Sequence, residues 1–177
     1  MQDAVCVGSG GMLAVFGADP EKLAAWCEQV SGYVALANYN GPSQTVLSGN
    51  TQGLLAIQER LKQEGIRKFI PLAVSAPFHC KLMKPAQDKL ADYLAKLYFQ
   101  DSQIPIVSNV HAEPVISGSR LRELLIRQVT APVQFSNIIR FLETAGIQEL
   151  VEIGPGQSLC NMIKRMNTNL RLVCIDY

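Results

Sequence analysis

Few residues in this sequence can do acid–base or nucleophilic chemistry. It contains only two histidines, His79 and His111, in 177 residues. His79 closes the stretch Ser75-Ala76-Pro77-Phe78-His79, a loop by composition, just after an apolar run. An imidazole at the mouth of a sheet has the right intrinsic pKa for a general base. A loop histidine satisfied by backbone groups has the same local sequence, and the residues alone leave both readings open. A base needs a nucleophile. The Gly-x-Ser-x-Gly elbow, which lifts a serine out of a strand–turn–helix, does not occur. Gly156-Gln157-Ser158-Leu159-Cys160 is a near miss, with Cys in place of the second glycine. Gly154-Pro155-Gly156 explains the same segment as a turn into a helix N-terminus with outward N–H groups. The turn reading is preferred, and Ser158 is kept as the alternative nucleophile, of a serine hydrolase or thioesterase. Cys80 adjoins His79, but sequence neighbours point to different sides, so Cys80 is read as a buried, inert thiol. Asn38 and Asn40 fit mostly turn chemistry, and at a strand end they could also hydrogen-bond an acyl or amide ligand.

The elements that must position these residues fall into two blocks. The first predicts a strand over 12–16 and a helix over 20–30 capped by Asp19, with Pro20 at its first position. Strands over 34–38 and 44–48 follow, then a helix capped by Asn50 or Thr51, and a strand over 68–74. This βαββαβ order is the ferredoxin-like pattern. The second block, from residue 75, predicts helices over about 84–97, 119–128 and 133–145, and a helix over 157–166. Its three short apolar strands, at 105–108, 149–153 and 170–175, suggest a parallel three-layer α/β sheet. The domain division is then 1–11 as a connecting segment, 12–74, and 75–177.

Composition narrows the function classes. Hydrophobic residues make up 48% and charged residues 18%, which is too apolar for disorder. Lys and Arg number 16 against 15 Asp and Glu, a net charge of +1, so no charge excess argues for nucleic acid. No apolar run is long enough to span a membrane, and the first residues do not resemble a secretory signal. The five cysteines, Cys6, Cys27, Cys80, Cys160 and Cys174, are odd in number and widely spaced. They read as reduced thiols of a cytoplasmic protein, without zinc-site spacing and with no metal site expected. Lys81, Lys84 and Lys164 form either a basic rim or ordinary solvated surface.

Several segments, in order, resemble malonyl-CoA:acyl-carrier-protein transacylases. Ala37-Asn38-Tyr39-Asn40-Gly41-Pro42-Ser43-Gln44 through Ser48-Gly49 is similar to their ANxNxPxQxVxSG segment. Pro71 to Pro85, with Ser75, Pro77, His79 and Leu82-Met83-Lys84-Pro85, is similar to PLPVSxPxHxxLMKP. Pro105-Ile106-Val107-Ser108-Asn109-Val110 resembles PVxSNV, and the Arg127-Gln128 stretch with Pro132-Val133 resembles LVRQLxxPVxW. Glu152-Ile153-Gly154-Pro155-Gly156 with Lys164-Arg165 resembles EVGPGxxLxxLxKR. The resemblance covers essentially the whole chain and implies a ferredoxin-like subdomain together with the C-terminal portion of an α/β-hydrolase-like one.

The resemblance also implies a mechanism. A serine takes malonyl from coenzyme A and passes it to the phosphopantetheine thiol of acyl carrier protein, in fatty-acid or polyketide biosynthesis. His79 matches the catalytic histidine and Gln128 the residue whose backbone carbonyl orients it. Phe78 matches the bulky residue that narrows the acyl pocket, and Asn38 and Asn40 match substrate-site residues. Malonyl-CoA is the implied substrate, no tightly bound cofactor is implied, and an acidic carrier protein would suit the basic rim. The family's Gly-His-Ser-x-Gly elbow, its malonate-binding arginine and part of its oxyanion hole all align upstream of Met1. The chain is therefore expected to be a C-terminal part, inactive alone. It is also expected to self-associate unless an N-terminal half is supplied.

Overall fold

The computed structural model describes residue 5 and residues 8–176. Most of the expected connecting segment, 1–11, lies outside the described residues, although Gly10 and Gly11 already pair within the first strand.

That strand, β1 (Gly10–Phe16), shows why its apolar run is unbroken. Leu13 and Val15 pack with Leu23, Cys27, Leu47, Ile57 and Leu61. Met12 and Ala14 face the other way and pack with Ala37 and Val46. Both faces of the strand are covered, so no polar alternation survives.

Helix α1 (Pro20–Gln29) starts where the sequence predicts: the Asp19 carboxylate accepts hydrogen bonds from the Glu21 and Lys22 N–H groups at 2.9 and 3.0 Å. Strands β2 (Val34–Gly41) and β3 (Gln44–Asn50) follow. Helix α2 (Thr51–Gln63) is capped by Asn50, whose Oδ1 accepts from Gly53 N–H at 2.7 Å and Tyr33 N–H at 3.1 Å. Gly53 must lack a side chain there, because a Cβ would collide with the Tyr33 carbonyl. With β4 (Phe69–Pro71) these strands make one antiparallel sheet in the order β2-β3-β1-β4.

The βαββαβ order is the predicted one; two lengths differ. Strand β2 runs on through Asn40 and Gly41 into a tight turn at Pro42-Ser43, so Asn40 belongs to the strand rather than to a turn. Strand β4 covers only part of 68–74. Pro71 has no N–H to donate, and after Leu72 donates to the Met12 carbonyl, Val74 N–H folds back onto Leu72 O at 2.8 Å. The chain leaves the sheet there and enters the loop that carries His79.

Beyond that loop come a 3-10 turn (Lys81–Met83) and α3 (Lys84–Leu94), which packs on α4 (Gly118–Gln128). Between them β5 (Ile106–Val107) pairs antiparallel with β6 (Pro114–Val115). Helix α5 (Phe135–Thr144) lies against β2. Strands β7 (Glu149–Ile153) and β8 (Arg171–Ile175) pair in parallel, with α6 (Ser158–Ile163) between them in sequence.

The expected parallel sheet of three strands needs correction. The strand predicted at 105–108 joins a hairpin instead, and of the three predicted strands the other two, β7 and β8, pair in parallel. The cause is a tight turn inside the stretch read as loop. Ser108 Oγ accepts from Val110 N–H at 3.1 Å, Ala112 adopts φ +56°, and Ser108 N–H reaches the Glu113 carbonyl. These contacts return β6 directly onto β5.

The two blocks are stitched along β2. Tyr39 N–H donates to Val133 O, and Val133 N–H donates to Ala37 O, both at 2.8 Å. Gln134 N–H reaches Asn109 O at the same distance.

Candidate active site

His79 sits at φ +59°, in the left-handed region that disfavours most side chains but that histidine enters more often than most. Its loop is pinned on either side. The Cys80 thiol donates to the Pro77 carbonyl at 3.2 Å, and the Tyr33 hydroxyl accepts the Lys81 N–H at 3.1 Å. Beneath it, Ala76 and Met83 pack with Ala86 and Val129, with Phe78 against them. Phe78 also packs against Met12, Ala14, Ala37 and Val46. This ring therefore bridges the outer face of the antiparallel sheet and the core below the His79 loop.

The imidazole Nδ1 lies 2.9 Å from the backbone carbonyl of Gln128. A carbonyl only accepts, so Nδ1 carries a proton, and in the neutral ring the lone pair is on Nε2. The Gln128 side-chain amide approaches the same nitrogen at 3.4 Å, farther away than the carbonyl that sets the tautomer. Gln128 is the last residue of α4. Its carbonyl belongs to the set that a helix C-terminus leaves without an intrahelical partner. The arrangement can hold a neutral imidazole in one tautomer and stabilise it once it takes a proton, as a carboxylate does in a serine-protease triad.

The other candidates are distributed around this pair. Asn38 and Asn40 lie half-buried on β2, at the strand end stitched to Val133, five residues after Gln128. Cys80 is 2% exposed, and burial pushes its thiol up, so it stays protonated near neutral pH. Ser158 is exposed at the start of α6. The N–H groups behind it are already taken, because the Glu152 carboxylate accepts from Leu159 N–H at 2.9 Å and Cys160 N–H at 2.7 Å. An oxyanion hole at that helix start would compete with Glu152. Lys81 and Lys84 follow His79 in the chain, and Lys84 is engaged in an ion pair with Asp88. A cleft of about 670 Å³ between α1, α5 and the β2–β3 turn is lined by Asp19, Tyr39, Gln134 and Arg140, and not by His79 or Gln128.

One cluster escaped the sequence reading: Glu152, Cys160 and Cys174 place their ligand-capable atoms within 4.8 Å of one another. Zinc-type spacing could not reveal it, because the residues come from a strand, a helix and a second strand. The usable signal was parallel pairing, which sets Cys174 beside Glu152 in register.

This histidine, oriented from the end of a helix beside an α/β core, is the kind of site an acyl-transferring enzyme carries, and the comparisons agree. The chain matches the acyl transferase domain family over residues 1–169 and belongs to it. It is 38% identical to the malonyl CoA-acyl carrier protein transacylase of Bacillus subtilis strain 168, over 99% of this chain and 56% of that relative. A crystal structure of the malonyl CoA-acyl carrier protein transacylase from Clostridium perfringens aligns with a TM-score of 0.93 at 40% identity, over 99% of this chain and 56% of that one. A holo complex of a type II polyketide synthase acyl-carrier protein with its malonyl-transacylase aligns with the same TM-score at 36% identity, over 98% of this chain and 57% of that one. The chain thus spans a little over half the length of these relatives. Among the described residues no helix is long and apolar enough to cross a membrane.

Proposed function

We propose that this chain supplies the base half of a malonyl transferase, moving malonyl from coenzyme A to the phosphopantetheine thiol of acyl carrier protein in fatty-acid or polyketide biosynthesis. The observation that carries the reading is the 2.9 Å contact between His79 Nδ1 and the Gln128 carbonyl. With Nδ1 so engaged, Nε2 accepts the proton of a serine hydroxyl as it attacks the malonyl thioester. The resulting imidazolium then protonates the departing coenzyme A thiolate. In the second half the roles reverse: Nε2 takes the proton of the carrier thiol and returns it to the serine.

In this reading Phe78 narrows the acyl pocket from the seam between the blocks, and Asn38 and Asn40 line the substrate side of β2. Residues 12–74 act as a ferredoxin-like subdomain, and residues 75–177 as part of an α/β-hydrolase-like one. The nucleophile would be supplied by a Gly-His-Ser-x-Gly segment, which these 177 residues do not contain, and the acidic carrier protein would suit a basic rim near Lys81, Lys84 and Lys164. Free thiols at Cys27 and Cys80 suit a cytoplasmic setting.

The test is acylation followed by intact mass. The chain is incubated with malonyl-CoA alone, then with a transacylase N-terminal region bearing the elbow. The expected result is no adduct on this chain and a malonyl ester on the added serine, discharged by holo acyl carrier protein. A malonyl ester on Ser158 would favour a hydrolase or thioesterase. Carrier-protein binding without turnover in either mixture would favour a non-catalytic binding fragment.

A further inference from the structure

Cys160 lies on α6 and Cys174 on β8. The Cys174 thiol donates to Cys160 Sγ across 2.6 Å. Two features hold the sulfurs together. Parallel pairing places Cys174 opposite Glu152 across the β7–β8 ladder. The Glu152 carboxylate in turn grips the first turn of α6 through Leu159 and Cys160 N–H groups. One carboxylate thus docks the helix carrying one thiol over the strand carrying the other.

The same three side chains could be read as a cation site, and two observations argue against it. Two sulfurs bound to one tetrahedral zinc stand roughly 3.7 Å apart, given Zn–S bonds of about 2.3 Å, and these are closer. Both carboxylate oxygens already accept helix N–H groups.

We propose that Cys160 and Cys174 form a reversible dithiol–disulfide site whose oxidant is a low-molecular-weight disulfide. Cys174 is the more exposed of the two and reacts first. Its thiolate attacks one sulfur of the small disulfide; that S–S bond breaks, and one small thiolate leaves and takes up a proton. Cys160 then loses its proton and attacks the Cys174 sulfur of the mixed disulfide, expelling the second small thiolate. In sum, two protein thiols give up two protons and two electrons, and the small disulfide becomes two thiols. In the starting dithiol Cys160 is the harder of the two to deprotonate, in keeping with Cys174 attacking first. The Cys160 thiol is pushed up to about 12 by its hydrogen bond with Cys174 first, then by burial and the Glu152 carboxylate. The product staples α6 to β8 directly after the Gly154-Pro155-Gly156 turn. The site does not depend on the acyl-transfer reading.

The experiment treats the whole chain with oxidised glutathione, blocks remaining thiols with N-ethylmaleimide in denaturant, and maps peptides by mass. The expected product is a Cys160–Cys174 cross-link that dithiothreitol removes, while Cys27 and Cys80 remain labelled. Cys160→Ser should instead stop at a glutathione adduct on Cys174, and Cys174→Ser should block the reaction at Cys160. Circular dichroism of the variants separates a lost site from a lost fold, and the wild-type map depends on neither. The proposal is overturned if wild-type Cys174 keeps a glutathione adduct without closing, or if both thiols stay fully alkylated. Stoichiometric Zn²⁺ binding that protects both thiols and leaves no cross-link would overturn it in favour of a metal site.

Discussion

The antiparallel sheet and the parallel β7–β8 pair treat apolar residues in opposite ways. In the first, α1 and α2 cover one face, and Leu13, Leu47, Ile57 and Leu61 are at most 1% exposed. The other face is closed by Phe78 from the His79 loop. In the second, Val151 is 47% exposed, Ile153 69% and Ile175 49%. Parallel strands are normally buried on both faces, and a run of exposed apolar side chains marks a surface that something else covers. The difference teaches where the chain is self-sufficient. The first block is covered on both faces, one by its own helices and the other with the help of Phe78 from the second block. The second block leaves apolar surface at β7–β8, as the proposed N-terminal half would require.

Substitutions can break this contrast. The largest effect is expected at Leu13→Ala, which opens a cavity in the covered sheet and should cost about 2–5 kcal/mol in denaturant unfolding. Ile153→Ala on the uncovered pair should change the isolated chain by about 0.5 kcal/mol or less. Equal costs at the two positions would mean that β7–β8 is buried in solution, through self-association. A smaller effect, about 1 kcal/mol, is expected for Asn50→Ala, which leaves the Gly53 and Tyr33 N–H groups without their acceptor.

The smallest effect concerns Glu152, whose carboxyl is held below the usual carboxylate range first by the Cys160 N–H and then by the Leu159 N–H. A depressed folded pKa adds stability above the unfolded value of about 4.3. That stability is lost as pH falls from there through the folded value. Unfolding measured at pH 7, 5 and 3 should show wild type losing part of its margin over Glu152→Gln only at the lowest pH. A margin that is constant across the series would place the role of Glu152 in packing rather than charge.

Much of the first block was legible because its signals are local. Asp19-Pro20 starts α1, Asn50 starts α2, and the unbroken apolar run of β1 declares a core. What was not legible depends on long-range pairing. Nothing near Pro105 shows that β5 will meet β6 rather than β7, since that choice rests on the Ser108–Glu113 turn closing. The shortness of β4 follows from Pro71 and a backbone turn at Leu72 rather than from hydropathy. At the site, His79 and Gln128 stood out through motif resemblance. Their contact depends on where α4 ends, and the resemblance marked that position while periodicity alone gave no chemical reason for it. The meeting of Cys160 and Cys174 needed the β7–β8 register and the grip of Glu152 on α6, neither of which leaves a trace in spacing.

The central claim is that a backbone carbonyl, not a side chain, orients the base. The direct measurement compares malonyl transfer to holo acyl carrier protein by His79→Ala and Gln128→Ala, each in a transferase uniting this chain with an elbow-bearing N-terminal region. Loss of the base should lower kcat/KM by roughly 10²–10⁴-fold. Gln128→Ala keeps the carbonyl and should stay within about tenfold of wild type, which is about 1.4 kcal/mol. Full activity in His79→Ala, or a collapse in Gln128→Ala equal to that of His79→Ala, would contradict the account.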